Sequence, residues 1–173
     1  MAEAGNRIWW KIALATCPII VLLGSASGWL SNSGFGNPWF DRLAKPSFMP
    51  PGWVFGLAWT ILYVLLGLAL AMILAEPPSD RRRTGLTLFF VQLGLNFAWS
   101  PIFFAAHDIS LAKWVIFAMA AIAAAAAGRF LRLRRAAGLL LVPYLGWLVF
   151  AATLNATIEQ LNPRAGSPLV GIR

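Results

Sequence analysis

Residues 51–75 read PGWVFGLAWTILYVLLGLALAMILA, twenty-five residues without one charged side chain. As a helix rising ~1.5 Å per residue, the stretch is long enough to cross a ~30 Å hydrocarbon core. In lipid its backbone N–H and C=O groups must pair internally, which leaves helix as the conformation of an isolated apolar run. Working outward, comparable runs occupy 12–30, 84–106, 109–128 and 136–158, the fourth if Lys113 snorkels to the interface. The predicted fold is all-α, an integral membrane bundle of five helices forming one domain over 1–173. The whole composition agrees. With 60% hydrophobic and 12% charged residues in 173, a water-soluble domain could not hide its apolar surface, and disorder is excluded by the same balance.

The first span carries an alternative. Arg7 and Lys11 before it, with Ser25, Ala26 and Ser27 towards its end, resemble a secretory signal peptide, whose cleavage would leave four spans. The run is longer than a usual signal core, which favours a retained helix. The net charge of +8 resides between apolar runs, so anionic lipid headgroups rather than nucleic acid are the expected counterpart. Nine Lys and Arg fall on the face shared by the N-terminus and the 76–83 and 129–135 connections, from Arg7 to Arg135, against five on the other, which includes Arg173. The positive-inside rule then places the N-terminus in the cytoplasm and the C-terminus outside. Cys17 has no partner for a disulfide, and with His107 alone it cannot complete a zinc site, so no side-chain metal site is expected.

The connection 31–50 is long and contains Pro38, Pro46 and Pro50, with Trp39, Phe40 and Leu43 at helical spacing. A short interfacial helix is predicted, serving equally well as a lid over the bundle mouth or as a membrane-surface anchor. Pro50 and Pro51 suit the first turn of the second span. Small residues at Ala120, Ala121, Ala124, Ala125 and Gly128, and again at Gly94 and Ala98, suit close helix approach. Packing within the bundle is the default for both sets, and a homodimer stays open.

Few polar groups lie deep in the spans. Gln92 and Asn96 share one helical face with Ser100; Tyr144, Trp147, Ala151 and Asn155 recur on the fifth span, and Trp59 and Tyr63 on the second. These faces either bond to one another across helices or enclose a pocket. Trp9, Trp10, Trp29, Trp39 and Trp114 sit near span ends, as an aromatic belt does, whereas the deeper Trp59 and Trp147 bring N–H donors that require the interior. Pro101 and Pro143 interrupt their spans, either shaping the helices or bending them around a space. No catalytic motif and no ionisable group near mid-membrane is present, which argues against proton-coupled transport; His107–Asp108 reads as a solvated turn and Glu159 as an interfacial charge.

Lys45-Pro46, Pro50-Pro51-Gly52-Trp53-Val54-Phe55, Trp59, then Gln92, Asn96, Trp99, Pro101, Phe103, Phe104, and Pro143-Tyr144, Trp147, Ala151 and Asn155 together resemble the translocator protein family, also called tryptophan-rich sensory proteins. That resemblance implies a membrane receptor or sensor binding porphyrins, protoporphyrin IX and haem, within a five-helix bundle, with no obligatory cofactor. It implies a ligand site of Trp53, Trp59, Tyr63, Gln92, Asn96, Trp99, Tyr144, Trp147, Ala151 and Asn155, with Arg42 or Lys45 pairing the propionates. Two other readings accompany it: a light- and oxygen-dependent porphyrin-degrading enzyme using Trp59 and Trp147, the less favoured, and a tetrapyrrole or lipid transporter. Ala156 and Gln160 depart from the family's animal cholesterol-recognition stretch. A bacterial-type member in an inner membrane is the better fit.

Overall fold

The computed structural model describes residues 8–165. The helices in chain order are α1 (Trp9–Leu30), the short α2 (Pro38–Arg42), α3 (Gly52–Leu74), α4 (Asp80–Ser100), α5 (Ile109–Leu133), the short α6 (Arg135–Leu139) and α7 (Val142–Leu161). A π-helical turn, Pro101–Ala105, continues α4, and α6 runs into α7. Five helical segments are long and apolar enough to cross a membrane, as the five apolar runs predict. In space α1 lies against α3 and α4, α4 against α5, α5 against α7, and α6 returns to α3, closing the ring.

The helices outlast the apolar runs. α5 continues through Arg129 and Arg132 to Leu133, and α4 begins at Asp80 rather than 84, capped by the Ser79 hydroxyl, which accepts from the Arg82 N–H. Charge marks where lipid ends, not where helical hydrogen bonding does. Arg82 also closes the end of α3: its Nε and Nη2 each donate over 3.0 Å, to the carbonyls of Ile73 and Leu74. Those carbonyls belong to the last turn, where i+4 donors run out, and Ile73 also accepts from the Glu76 N–H over 3.1 Å. Pro143 falls in the first turn of α7, where no backbone N–H is needed, whereas Pro101 opens the π-helical turn.

Close approach of α1 and α3 rests on glycine. A Cβ on Gly67 would stand 2.6 Å from the Cα of Cys17, and one on Gly24 would enter the Tyr63 ring. Thr16 Oγ1 donates to the Gly67 carbonyl over 2.8 Å at this crossing. The α5 face differs from its expected phase. Ala123, Ala126 and Ala127 are buried with Ile116, Met119 and Phe130, while Ala121, Ala124 and Ala125 turn outward; Gly94 on α4 is also exposed. The bulky residues set the rotation of α5, since their shapes make the most van der Waals contact when packed against the neighbouring helices. Intramolecular packing therefore does not explain the outward alanines.

The first connection is tightly built. Asn37 Oδ1 accepts from the N–H groups of Trp39 (3.0 Å) and Phe40 (3.1 Å), starting α2, and Pro38 occupies its first position. Lys45 Nζ donates to the carbonyls of Phe40 (2.7 Å), Leu43 (3.1 Å) and Asp41 (3.2 Å), ending it. Phe40 and Leu43 are buried in a cluster with Phe103, Phe104, Ile109, Leu154 and Ile158. A reciprocal pair, Ala44 N–H to Asn162 Oδ1 and Asn162 Nδ2 to the Ala44 carbonyl, both 2.9 Å, fastens the connection to the end of α7. Between lid and surface anchor, the packing supports the covering role. Arg7 and Arg173, which enter the charge count by face, lie outside the described residues.

Gly67→Val is expected to cost ~1–3 kcal/mol through overpacking against the α1 backbone. Gly146→Ala, whose new methyl meets open space, serves as the control. Thermal unfolding in detergent should show a lowered midpoint for the first variant and none for the second.

Candidate functional site

A cavity of about 500 Å³ lies beneath the first connection, bounded by α1, α3, α4 with its π-helical turn, α5 and α7. One wall is aromatic. Trp59 and Trp147 meet edge to face with ring centroids 6.2 Å apart, Phe55 stands 5.9 Å from Trp147 in the same manner, and Tyr63 stacks on Trp59 at 5.3 Å. On the facing side Trp99 stacks on Phe103 at 5.1 Å, with Phe104 edge-on to it at 5.9 Å. Phe40 and Phe35 of the first connection and Met49 form the roof.

At its inner end a chain of side-chain hydrogen bonds ties three helices. Tyr63 O–H donates to Asn96 Oδ1 (2.9 Å), Asn96 Nδ2 donates to the Tyr144 oxygen (3.1 Å), and Tyr144 O–H donates to Gln92 Oε1 (2.8 Å). Gln92 and Asn96 both reach Tyr144 because residues four apart share a helical face. Higher up, Asn155 Nδ2 donates to the Ile109 carbonyl over 3.0 Å. Two buried polar atoms of cavity-lining residues have no protein partner: Trp99 Nε1, a donor, and Asn155 Oδ1, an acceptor. Both atoms are shielded from a water-sized probe and so lie within the wall, and each unpaired buried group costs ~1–3 kcal/mol. Gln92 Nε2 is a third such atom, set in the wall behind the cavity.

The structure brings together Trp59, Tyr63, Asn96, Trp99, Trp147, Ala151 and Asn155 as cavity-lining residues. Gln92 and Tyr144 lie one layer back, fully buried, and act on the cavity through Asn96. Trp53 is elsewhere. It is 70% exposed on the outer surface, because six helical residues separate it from Trp59 and turn it to another face. Arg42 is exposed on α2 and outside the lining set, and Lys45 spends its ammonium on the carbonyls that end α2. Sequence reasoning missed Gly24, Ser25 and Gly28 on α1 and Gly52 and Gly56 on α3, which line the cavity with little side chain. Their signal was the four-residue spacing of Gly24–Gly28 and Gly52–Gly56. Ile116 and Met119, also lining it, carried none that distinguishes them from other core residues. Among the described residues no group of His, Cys, Asp and Glu is arranged to hold a metal.

The chain is thus an integral membrane five-helix bundle with an aromatic internal cavity roofed by its first connection. Residues 15–161 match the TspO/MBR family, and the chain belongs to that family. It is 41% identical over 133 residues to the tryptophan-rich protein TspO of Chlorobaculum tepidum, covering 72% of this chain and 80% of the relative. Identity to the tryptophan-rich sensory protein of Cereibacter sphaeroides is 40% over 126 residues, covering 73% and 78% respectively. The translocator protein of Sus scrofa is 39% identical over 146 residues, covering 82% of this chain and 86% of its own.

Tyr144→Phe removes the hydroxyl between Asn96 and Gln92 and is expected to cost ~0.6–2 kcal/mol, the range for interhelical hydrogen bonds in membranes. Denaturant unfolding in mixed micelles measures it. Trp53→Phe, on the outer surface, should leave the unfolding free energy unchanged.

Proposed function

We propose that this protein is a membrane receptor or sensor that holds a porphyrin, protoporphyrin IX or haem, in the roofed cavity and thereby regulates tetrapyrrole level or a stress response. The observation that carries the reading is a pair of opposed aromatic walls, with the polar side chains of Asn96, Ser100 and Asn155 among the residues lining the same cavity. A flat macrocycle stacks favourably on indole and phenyl faces. Polar lining residues, Asn96, Ser100 and Asn155, can orient it through hydrogen bonds. Of the two basic residues considered for the propionates, neither forms an ion pair among the described residues, but Lys45 donates to the carbonyls that end α2, which leaves Arg42 the candidate. The membrane assigned is a bacterial inner membrane with the N-terminus cytoplasmic, supported by the gathering of arginines at one end of the bundle. The outward alanines of α5 offer a surface for a homodimer.

A second reading, light- and oxygen-dependent degradation of bound porphyrin, is favoured by one observation: the Trp59 and Trp147 rings are in contact on the same wall. Indoles so placed could pass electrons to an excited macrocycle. Transport without an ion gradient remains compatible with the same cavity.

Titration of purified protein with protoporphyrin IX, followed by tryptophan quenching in the dark, is expected to saturate. Trp59→Phe and Trp147→Phe should each weaken binding about 2- to 10-fold, the equivalent of ~0.5–1.5 kcal/mol of aromatic contact. Ala151→Leu should weaken it further by filling the wall, at ~1–3 kcal/mol. Linear, unsaturable quenching would reduce binding to partition into the micelle. A protein-dependent product under light, absent from free porphyrin, would move the reading to the enzyme.

A further inference from the structure

The end of the bundle remote from the cavity carries most of the charge. Among the described residues Lys11, Arg81, Arg82, Arg83, Arg129, Arg132, Arg134 and Arg135 gather there, against the carboxylates of Glu76 and Asp80. Their proximity is recorded by contacts between elements: Arg82 with the end of α3, Arg134 with Glu76 at 3.7 Å, and Gly85 with Arg129 and the Phe130 ring. Arg81, Arg83, Arg129, Arg132 and Arg135 are exposed and form no ion pair within the described chain.

Along the outer face of α4 an open hollow of about 1000 Å³ begins at this end, with Ser79, Arg82 and Arg83 at its head and Leu86, Phe90 and Val91 further down. Asp80 also lines the head and leaves it net positive beside two guanidiniums. Arg82 is held in place there by the α3 carbonyls, so its charge is fixed without being neutralised. Arg83 to Val91 spans eight residues, ~12 Å along the helix, against ~15 Å for half the hydrocarbon core. The hollow therefore has a cationic head at the interface and an apolar floor, with Phe90 and Val91 about half exposed, ending within one leaflet.

We propose that this hollow is a binding site for one anionic phospholipid, its phosphodiester held at Arg82 and Arg83 and one acyl chain lying on Leu86, Phe90 and Val91. The charge favours an anionic over a zwitterionic headgroup. The floor distinguishes a lipid from a soluble phosphate, which has no use for an apolar track within the membrane. A second copy of the chain is disfavoured as occupant because its own arginines would meet these. The site is independent of the roofed cavity and of what that cavity holds.

The test uses the full chain in neutral detergent, with dioleoylphosphatidylglycerol added and bound lipid counted by native mass spectrometry. Saturable binding is expected, tighter than for dioleoylphosphatidylcholine and weakened by salt. Arg83→Gln should weaken it about fivefold, in line with the contribution of one basic residue near a charged membrane surface. Phe90→Ser should weaken it with the headgroup site intact, and Arg164→Gln, at the opposite end, should not. Arg82 is left unchanged because it ends α3. Three results would overturn the proposal: equal binding of the two lipids, full competition by chain-free glycerophosphoglycerol, or an altered protomer number in Arg83→Gln and Phe90→Ser with lipid binding unmoved. The second would make the hollow a soluble-anion site and the third an interface between copies.

Discussion

Inside a bilayer a polar group must find its partner within the protein, and the chain Tyr63–Asn96–Tyr144–Gln92 is where this bundle meets that demand. It joins α3, α4 and α7, which are far apart in sequence, at a common depth. With lipid tails as apolar as leucine, hydrophobic burial does not choose between one rotation of a helix and another. A directional bond does. Fixing Tyr63 and Asn96 also fixes which residues three to eight positions away face inward: Trp59, Trp99 and Ser100 all stand on the cavity wall as a result.

The opposite device, absence of side chain, sets how the helices diverge. α1 and α3 touch backbone to backbone at Gly67 and admit the Tyr63 ring at Gly24. Nearer the first connection, Gly56 has nothing within 4 Å of where a Cβ would be. Contact at one end and open space at the other turn two packed helices into two walls. The π-helical turn at Pro101–Ala105 contributes on the facing side, presenting Phe103 and Phe104 to both the cavity and the α2 cluster. The roof is then held by Asn162 and by the buried Phe40, so cavity and cover share their aromatic residues.

Five spans were legible because apolar length is a one-dimensional property, written in a run such as 51–75. Helical phase was legible wherever polar residues recurred at four, as with Gln92 and Asn96. It failed for Trp53, whose place in a family motif carries no information about the face it occupies. It failed for the α5 alanines too, because a run of five small residues from 123 to 127 offers every face at once and Ile116, Met119 and Phe130 decide. The charge of Lys45 is visible in sequence, while the three carbonyls to which it donates are gathered only once α2 has ended. The reciprocal bonds of Ala44 and Asn162 join positions 118 residues apart, and no local pattern announces them.

The size of the cavity bears on what it is for. A space of about 500 Å³ that opens to the outside admits water or lipid, so its cost lies in the dispersion contacts that its apolar walls lack. Water solvates aromatic walls poorly, whereas broad apolar faces restore the dispersion contacts those walls lack. Bulk at Gly56, where a Cβ would meet open space, would have narrowed the gap, whereas Gly24 is already filled by the Tyr63 ring. The volume is therefore set by where side chains are missing, at Gly56 above all, and by the rings that stand around it.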